Sequence, residues 1–216
     1  MSRFNMSGVA RQAGIALAAL LLAGWAIPAI AVDLPGTWWA LDGSTTIKLS
    51  AKGQSEQETA YEFAELEFDA AATPQAGDCV FTNYGMAAVL DMPCTFTATP
   101  PKKPTGKTKF VLSLDDDPLR AELESELRDE LGDPGIAVSL ASKPVKGKVD
   151  PSGIMALKVA WKGNIYVPSY GLNIKLSISS GLSGSQYRVM AASVETPPGA
   201  GELGDRVLSI LKRLLE

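Results

Sequence analysis

The sequence predicts a mainly β fold: a single antiparallel β-barrel or sandwich with one acidic side helix and a C-terminal amphipathic helix. Apolar and polar residues alternate in several segments, most completely over 172–179, as in strands with one buried and one solvated face. Turn-forming residues recur between these segments. Helical spacing is confined to about 117–131 and 202–216, too little for the crossover helices of a parallel sheet.

The N-terminal 31 residues have the features of a cleaved signal peptide. Arg3 and Arg11 accompany a charge-free apolar run over 13–26, and Ala29-Ile30-Ala31 supplies the small-x-small site that a signal peptidase recognises. The run is shorter than the roughly 20 residues of a membrane span, although a retained anchor is the open alternative. We therefore expect a periplasmic or secreted protein.

The chain after residue 31 has the length of one ordinary domain. We expect a β domain over 32–192 with the acidic helix inserted near 117–131, a linker over 193–201 and a terminal helix over 202–216. The chain has 20 Lys and Arg against 24 Asp and Glu. This acidic balance argues against a nucleic-acid partner, because such a protein needs a basic surface.

The histidine and cysteine content limits the kinds of catalytic and metal site that this chain can form. The sequence contains no histidine, which removes Ser-His-Asp and Cys-His catalytic arrangements and nearly every zinc-hydrolase site. We therefore expect a non-enzymatic protein without a metal or a cofactor. Cys79 and Cys94 allow one pairing, and in an exported chain they predict a disulfide worth roughly 3 kcal/mol. Redox-active thiols are the alternative, but a C-x-x-C spacing is missing.

The first half of the β domain is predicted to consist of hairpins. Asp42-Gly43 separates two β-prone runs and indicates a primed turn, and Lys52-Gly53 marks the next turn. Over 61–68 the apolar alternation changes phase, which predicts a β-bulge, with a short helix as the alternative. Strands are also expected over 79–84, 94–97 and 107–114.

The inserted helix has clear boundary signals. Asp117 is its predicted N-cap, Pro118 occupies the first helical position, and Gly132 ends the helix. Its apolar stripe, formed by Leu119, Leu123 and Leu127, is narrow, so we expect a lid or side helix rather than a core element. The run Asp115-Asp116-Asp117 has the oxygen atoms that Ca²⁺ prefers, but the spacing of a calcium loop is missing and a helix cap accounts for it.

The C-terminal part contains a hairpin and a second helix. Segments 145–149 and 154–161 flank a turn at 150–153. The terminal helix presents apolar residues at helical spacing, and these are Leu203, Val207, Ile210, Leu211 and Leu214. Packing of this helix on its own domain is favoured over docking to a partner or to a second copy. Contact with a membrane is disfavoured, because the polar face of the helix is only mildly basic.

Gly36-Thr37-Trp38, Thr82-Asn83-Tyr84 and Arg188 occur in an order that resembles lipocalins and the wider calycin group. Asn83 stands where that family has Asp. The resemblance implies a barrel whose base is plugged by Trp38, with Arg188 packed over its ring in a cation–π contact.

The function that the resemblance implies is the binding of a small hydrophobic molecule in the barrel mouth. The candidate lining residues are the aromatic side chains Trp39, Phe110, Trp161 and Tyr170, for which ordinary core packing is the alternative. A role in the cell envelope is included in this hypothesis. The alternative function is a structural or interaction protein with a filled core, whose C-terminal helix docks a partner or a second copy.

Overall fold

The computed structural model describes residues 32–103, 105–187 and 201–215. The predicted leader, Arg188 and the linker up to residue 200 lie outside them. The described chain forms nine strands and two helices: β1 Trp38–Ala51, β2 Gln54–Phe68, β3 Ala76–Asn83, β4 Leu90–Thr99, β5 Thr108–Leu114, α1 Asp117–Leu131, β6 Ala137–Ser142, β7 Val145–Val149, β8 Ile154–Val167, β9 Leu172–Tyr187 and α2 Glu202–Leu215. A short 3₁₀ turn, Pro168–Tyr170, joins β8 to β9.

Eight strands form a closed antiparallel ring. Their order is β8-β7-β5-β4-β3-β2-β1-β9, and β9 pairs again with β8. The ninth strand, β6, pairs with the second half of β8, whereas β7 pairs with the first half. The mainly β, antiparallel fold with two helices is therefore confirmed, and the sheet closes on itself.

Unequal strand lengths give the ring two different ends. Strands β1, β2, β8 and β9 have 14 to 16 residues, whereas β2 pairs with β3 only over 64–68. At one end, hereafter the closed end, all eight strands are hydrogen-bonded. At the other, the open end, the long strands continue beyond β3, and both helices pack there, α2 against β1 and β2 and α1 against β4 and β6.

Aromatic side chains fill the closed end. The Phe68 ring meets the rings of Phe96 and Phe110 edge to face, with centroids 4.9 and 5.8 Å apart. Such pairs add about 0.5–1.5 kcal/mol each beyond the burial of their area. Trp39 is completely buried there, and its indole N–H donates to Thr37 Oγ1 at 2.8 Å.

The first predicted turn is wrong, and the second is confirmed. β1 runs without interruption through Asp42-Gly43. Gly43 is required by close strand contact, because a Cβ there would lie 2.0 Å from the carbonyl oxygen of Gly181. The chain reverses at Lys52 and Gly53, whose φ angles of 48° and 85° are typical of a type I′ hairpin.

Helix α1 matches its predicted span, but its N-cap is one residue earlier than predicted. Asp116 is the cap residue and makes no side-chain cap bond, while Asp117 lies inside the helix and pairs with Arg120 at 2.8 Å. The predicted stripe is buried over its whole length, through Leu119, Leu123 and Leu127. Gly132 ends the helix with a φ of 63°.

Helix α1 also protects the edge of β6 that faces away from β8. Glu124 Oε2 accepts a hydrogen bond from the Val138 amide at 2.8 Å, and Asp116 Oδ2 accepts one from the Ser142 amide at 2.6 Å. Unpaired strand edges otherwise attract other chains. The acidic side chains near this helix therefore have a structural use.

The predicted disulfide is confirmed. Cys79 and Cys94 lie directly opposite each other on β3 and β4, with their Cα atoms 4.8 Å apart. A structural disulfide of this kind indicates an oxidising, extracytoplasmic environment. Neither of the two helices seen in residues 32–103, 105–187 and 201–215 has the length and apolar character needed to cross a membrane.

Candidate functional site

Glu62 is the one acidic or basic residue that is buried in the described part of the chain, with 2% of its surface exposed. It lies on the inner face of β2, opposite Gly43 of β1. Tyr61 and Phe63 point outwards, and Phe63 packs against Tyr84 with ring centroids 5.3 Å apart. A carboxyl group therefore occupies a position that alternation reserves for an apolar side chain.

This inward carboxyl explains why the predicted bulge is wrong. The register of β1 with β2 continues without a slip from Trp38 opposite Glu67 to Ala51 opposite Gln54. The apparent change of phase arises because aromatic residues face outwards on both sides of Glu62. Sequence reasoning missed Glu62 as a site residue, although the phase conflict at 61–68 was its signal.

Three neutral polar side chains surround the Glu62 carboxyl. Asn83 Nδ2 donates to Oε1 at 2.7 Å, and Thr45 Oγ1 donates to Oε2. The hydroxyl oxygens of Thr45 and Ser180 are 2.7 Å apart. Strands β1, β2, β3 and β9 thus each contribute one member to what we name the polar cluster: Thr45, Glu62, Asn83 and Ser180.

Compared with bulk water, the surroundings of Glu62 favour the neutral, protonated form of its carboxyl group. Burial, the largest effect, raises the pKa of Glu62, while hydrogen bonds from Ser180, Thr45 and Asn83 act in the opposite direction. None of the ion pairs formed by the described residues involves Glu62. The cluster is suited to hydrogen-bonding a polar group inside an apolar space.

Helix α2 begins directly above the polar cluster. Asn83 Oδ1 accepts a hydrogen bond from the Gly85 amide at 2.8 Å, and the Gly85 carbonyl accepts one from the Leu203 amide at 2.8 Å. Glu202 Oε2 accepts a third from the Tyr61 amide at 3.1 Å. These bonds connect the start of the helix to the residues that hold Glu62.

The rest of α2 lies on the inner face of the open end. Its buried side chains are apolar except for a glycine, and they are Leu203, Gly204, Val207, Ile210 and Leu211. Arg206 and Arg213 both reach Glu58 of β2, at 3.2 and 2.5 Å. The hydrogen bond from Arg213 is the main reason why the pKa of Glu58 is lowered. The terminal helix therefore packs on its own domain.

A cavity of about 250 Å³ lies between α1 and α2 at the mouth of the barrel. Ala87, Leu127 and Leu208 provide its apolar lining. Carboxyl groups stand around it, and these belong to Glu126, Asp129, Glu130 and Asp205. Burial, followed by nearby carboxylates, raises the pKa of Glu126, although a hydrogen bond from the Ala87 amide opposes this shift.

The predicted lining residues occupy different places. Trp39 and Phe110 are buried at the closed end, and Trp161 is buried nearer the open end, where its indole N–H donates to Asp116 Oδ1 at 2.8 Å. Tyr170 lies in the 3₁₀ turn and is 54% exposed. The structure therefore brings the first two to one end of the barrel and leaves Tyr170 outside.

The two adjacent tryptophans of β1 have opposite orientations. Trp39 is on the inner face, whereas Trp38 is on the outer face and half-buried. The residue that helps to fill the barrel base is thus Trp39 and not Trp38, which differs from what the lipocalin resemblance implies. Its proposed partner, Arg188, lies outside the described residues.

No protein-family model matches the chain, and a search of curated proteins finds no match. The lipocalin resemblance therefore stays a prediction.

Proposed function

We propose that this chain is a non-enzymatic barrel protein of the periplasm or the secreted space that binds a small hydrophobic molecule at its open end. The observation that carries the proposal is the polar cluster, which is set in the apolar inner face of the open end and covered by α2. Ligand sites in proteins have this composition, an apolar lining with a few converging polar groups. The Glu62 carboxyl would hydrogen-bond the polar group of the ligand.

The proposal assigns α2 the role of a lid. Beneath it, the inner face of the long strands is apolar and buried, through Ile47, Leu49, Leu176 and Ile178. The ion pairs of Arg206 and Arg213 lie at the surface, where such pairs contribute about 0–1 kcal/mol each. A ligand could displace α2 and take the place of its apolar face. The ligand would then bury the same inner face of the strands.

The test weakens the lid without deleting it. We expect Arg206→Ala/Arg213→Ala to bind a hydrophobic fluorescent dye about fivefold more tightly than the native chain. Three surface ion pairs, two with Glu58 and one with Glu56, no longer hold α2 closed, and each contributes up to about 1 kcal/mol. Arg120→Ala is the matched control, since it removes an arginine from the surface of α1. Equal dye binding by all three proteins would refute the lid.

The second candidate is a structural or interaction protein with a filled core. It is favoured by the burial of Trp39 and Trp161, whose indole N–H groups both have acceptors within the fold. Native mass spectrometry of protein purified from its own compartment separates the two. A bound small molecule supports the first proposal, whereas an oligomer or a bound protein without one supports the second.

A further inference from the structure

Four neighbouring strands of the ring, β5, β7, β8 and β9, contain lysines and no acidic residue. All of these lysines occupy outer positions and are exposed. We name them the lysine face, and they are Lys109, Lys146, Lys148, Lys158, Lys162 and Lys175. None of the six forms an ion pair with any residue in the described ranges.

The strand register sets these positive charges against one another. Lys109 of β5 is directly opposite Lys148 of β7, and Lys146 of β7 is directly opposite Lys158 of β8. Neighbouring strands are about 4.8 Å apart, and like charges in opposing positions destabilise a sheet. No acidic side chain among the described residues pairs with these lysines, so an external anion would relieve the repulsion.

Small residues separate the lysines and leave shallow depressions between them. One depression, of about 410 Å³, lies over Ala156, Gly181 and Ser183, with the ammonium groups of β5, β7 and β8 around it. A second, of about 550 Å³, lies over Gly163 and Ser177 and is bordered by lysines of β1, β8 and β9. The charges therefore spread over a broad surface rather than along one groove.

Exposed apolar residues accompany the lysines on the same outer surface. Val111 of β5 is 38% exposed and faces Lys146, while Ile154 and Tyr166, near the two ends of β8, are 44% and 48% exposed. Tyrosine and aliphatic side chains beside a basic surface suit the headgroup region of a bilayer. A soluble polyanion would leave these apolar groups in water.

We infer that the lysine face binds the surface of an anionic phospholipid bilayer, with the ammonium groups on lipid phosphates and the exposed apolar side chains at headgroup depth. This surface is distinct from α2, whose polar face did not favour membrane contact. The inference does not depend on the ligand proposed for the open end. Attraction of this kind contributes about fivefold in affinity per lysine and weakens with salt.

The experiment measures co-sedimentation of the full chain with phosphatidylcholine vesicles, with and without phosphatidylglycerol. We expect binding only to the vesicles that contain phosphatidylglycerol, and weaker binding as salt increases. The variant Lys109→Glu/Lys146→Glu should bind at least about 25-fold less tightly, since two lysines are replaced. Lys102→Glu/Lys103→Glu is the control with the same change of net charge in an exposed loop, and it should retain the native affinity within about twofold.

Thermal unfolding shows whether the lysine-face variant is folded. Each substitution replaces a repulsive pair by an opposite-charge pair, with Lys148 or Lys158 as partner. Its melting temperature should therefore equal or exceed that of the native chain. Lost vesicle binding with an unchanged or raised melting temperature supports the inference.

Several results would overturn the assignment to a bilayer. They are retained binding by the lysine-face variant, an equal loss in the loop control, and binding to soluble polyphosphate without binding to vesicles. A change of oligomeric state in the variant, with no vesicle binding by the native chain, would assign the face to a second copy instead.

Discussion

The two halves of the ring use charge in different ways. Strands β1–β4 carry one lysine, Lys48, and eight acidic residues, namely Asp42, Glu56, Glu58, Glu62, Glu65, Glu67, Asp78 and Asp91. The neighbouring strands β5, β7, β8 and β9 carry only lysines as charged residues. Ring order keeps each set together, so the barrel has an acidic half and a basic half.

Most acidic side chains of the first half have partners within the fold. Glu58 binds two arginines of α2, and Glu62 lies in the polar cluster. Glu65 accepts a hydrogen bond from the Tyr84 hydroxyl at 3.2 Å. Burial, helped by Glu65, raises the pKa of Tyr84 to about 12. Lysines of the basic half point into solvent, so we expect the acidic half to govern stability and the basic half to govern association.

The largest expected effect is the loss of the disulfide of the acidic half. Cys79→Ala/Cys94→Ala should lower the free energy of unfolding by about 2–5 kcal/mol, because the unfolded chain is no longer cross-linked. Urea denaturation measures the loss, with the native chain under the same conditions as the reference. A variant with the native midpoint would show that the acidic half does not depend on this bond.

The next effect is a pH dependence from Glu62. Its pKa is raised in the folded state, so the stability it contributes is present below its unfolded pKa and is lost as pH rises through its folded pKa. Glu62→Gln, which stays neutral, should therefore gain stability over the native chain with rising pH, by up to about 1.4 kcal/mol per pH unit.

Urea denaturation across a pH series measures this difference. Asp78→Asn provides the control, because it removes an exposed acid from the same half of the ring. If the difference in free energy of unfolding between Glu62→Gln and the native chain stays constant with pH, burial does not raise the pKa of Glu62.

The smallest effect compares charge reversal in the two halves. Lys109→Glu creates an opposite-charge pair with Lys148 and should stabilise the fold by about 0.2–1 kcal/mol. Glu58→Lys should destabilise it, because Arg206 and Arg213 would then face a positive charge. Chemical denaturation of both variants measures the contrast. If both substitutions changed the free energy of unfolding in the same direction, the two halves of the ring would not differ in their use of charge.

Local signals account for the elements that were predicted correctly. The Pro118 and Gly132 boundaries of α1, the turn at Lys52-Gly53 and the alternation over 172–179 each depend on residues close in sequence. The prediction of the disulfide needed only two cysteines and the expectation that the chain is exported. In the same way, the helical spacing of apolar residues in α2 predicted most of its buried face, although Leu214 is only partly buried.

The errors arise where distant strands decide a residue's role. Asp42-Gly43 has turn chemistry, but the approach of Gly181 from β9 makes the glycine necessary inside a strand. The sequence periodicity did not predict that Glu62 is buried. Its place in the core is explained only by Thr45, Asn83 and Ser180, which surround it in the folded chain. No local pattern contains these partners.

The amino-acid sequence by itself determined the class of fold, because side-chain alternation, turn residues and helix boundaries act over a few positions. Only the tertiary structure decided the order of the strands in the ring, the inward orientation of the Glu62 carboxyl group and the place where α2 packs. Alternation places each lysine on a solvated face, but the pairing of β5 with β7 and of β8 with β9 makes them one surface. Strand pairing joins residues far apart in the chain, so its consequences cannot be read from neighbours in sequence.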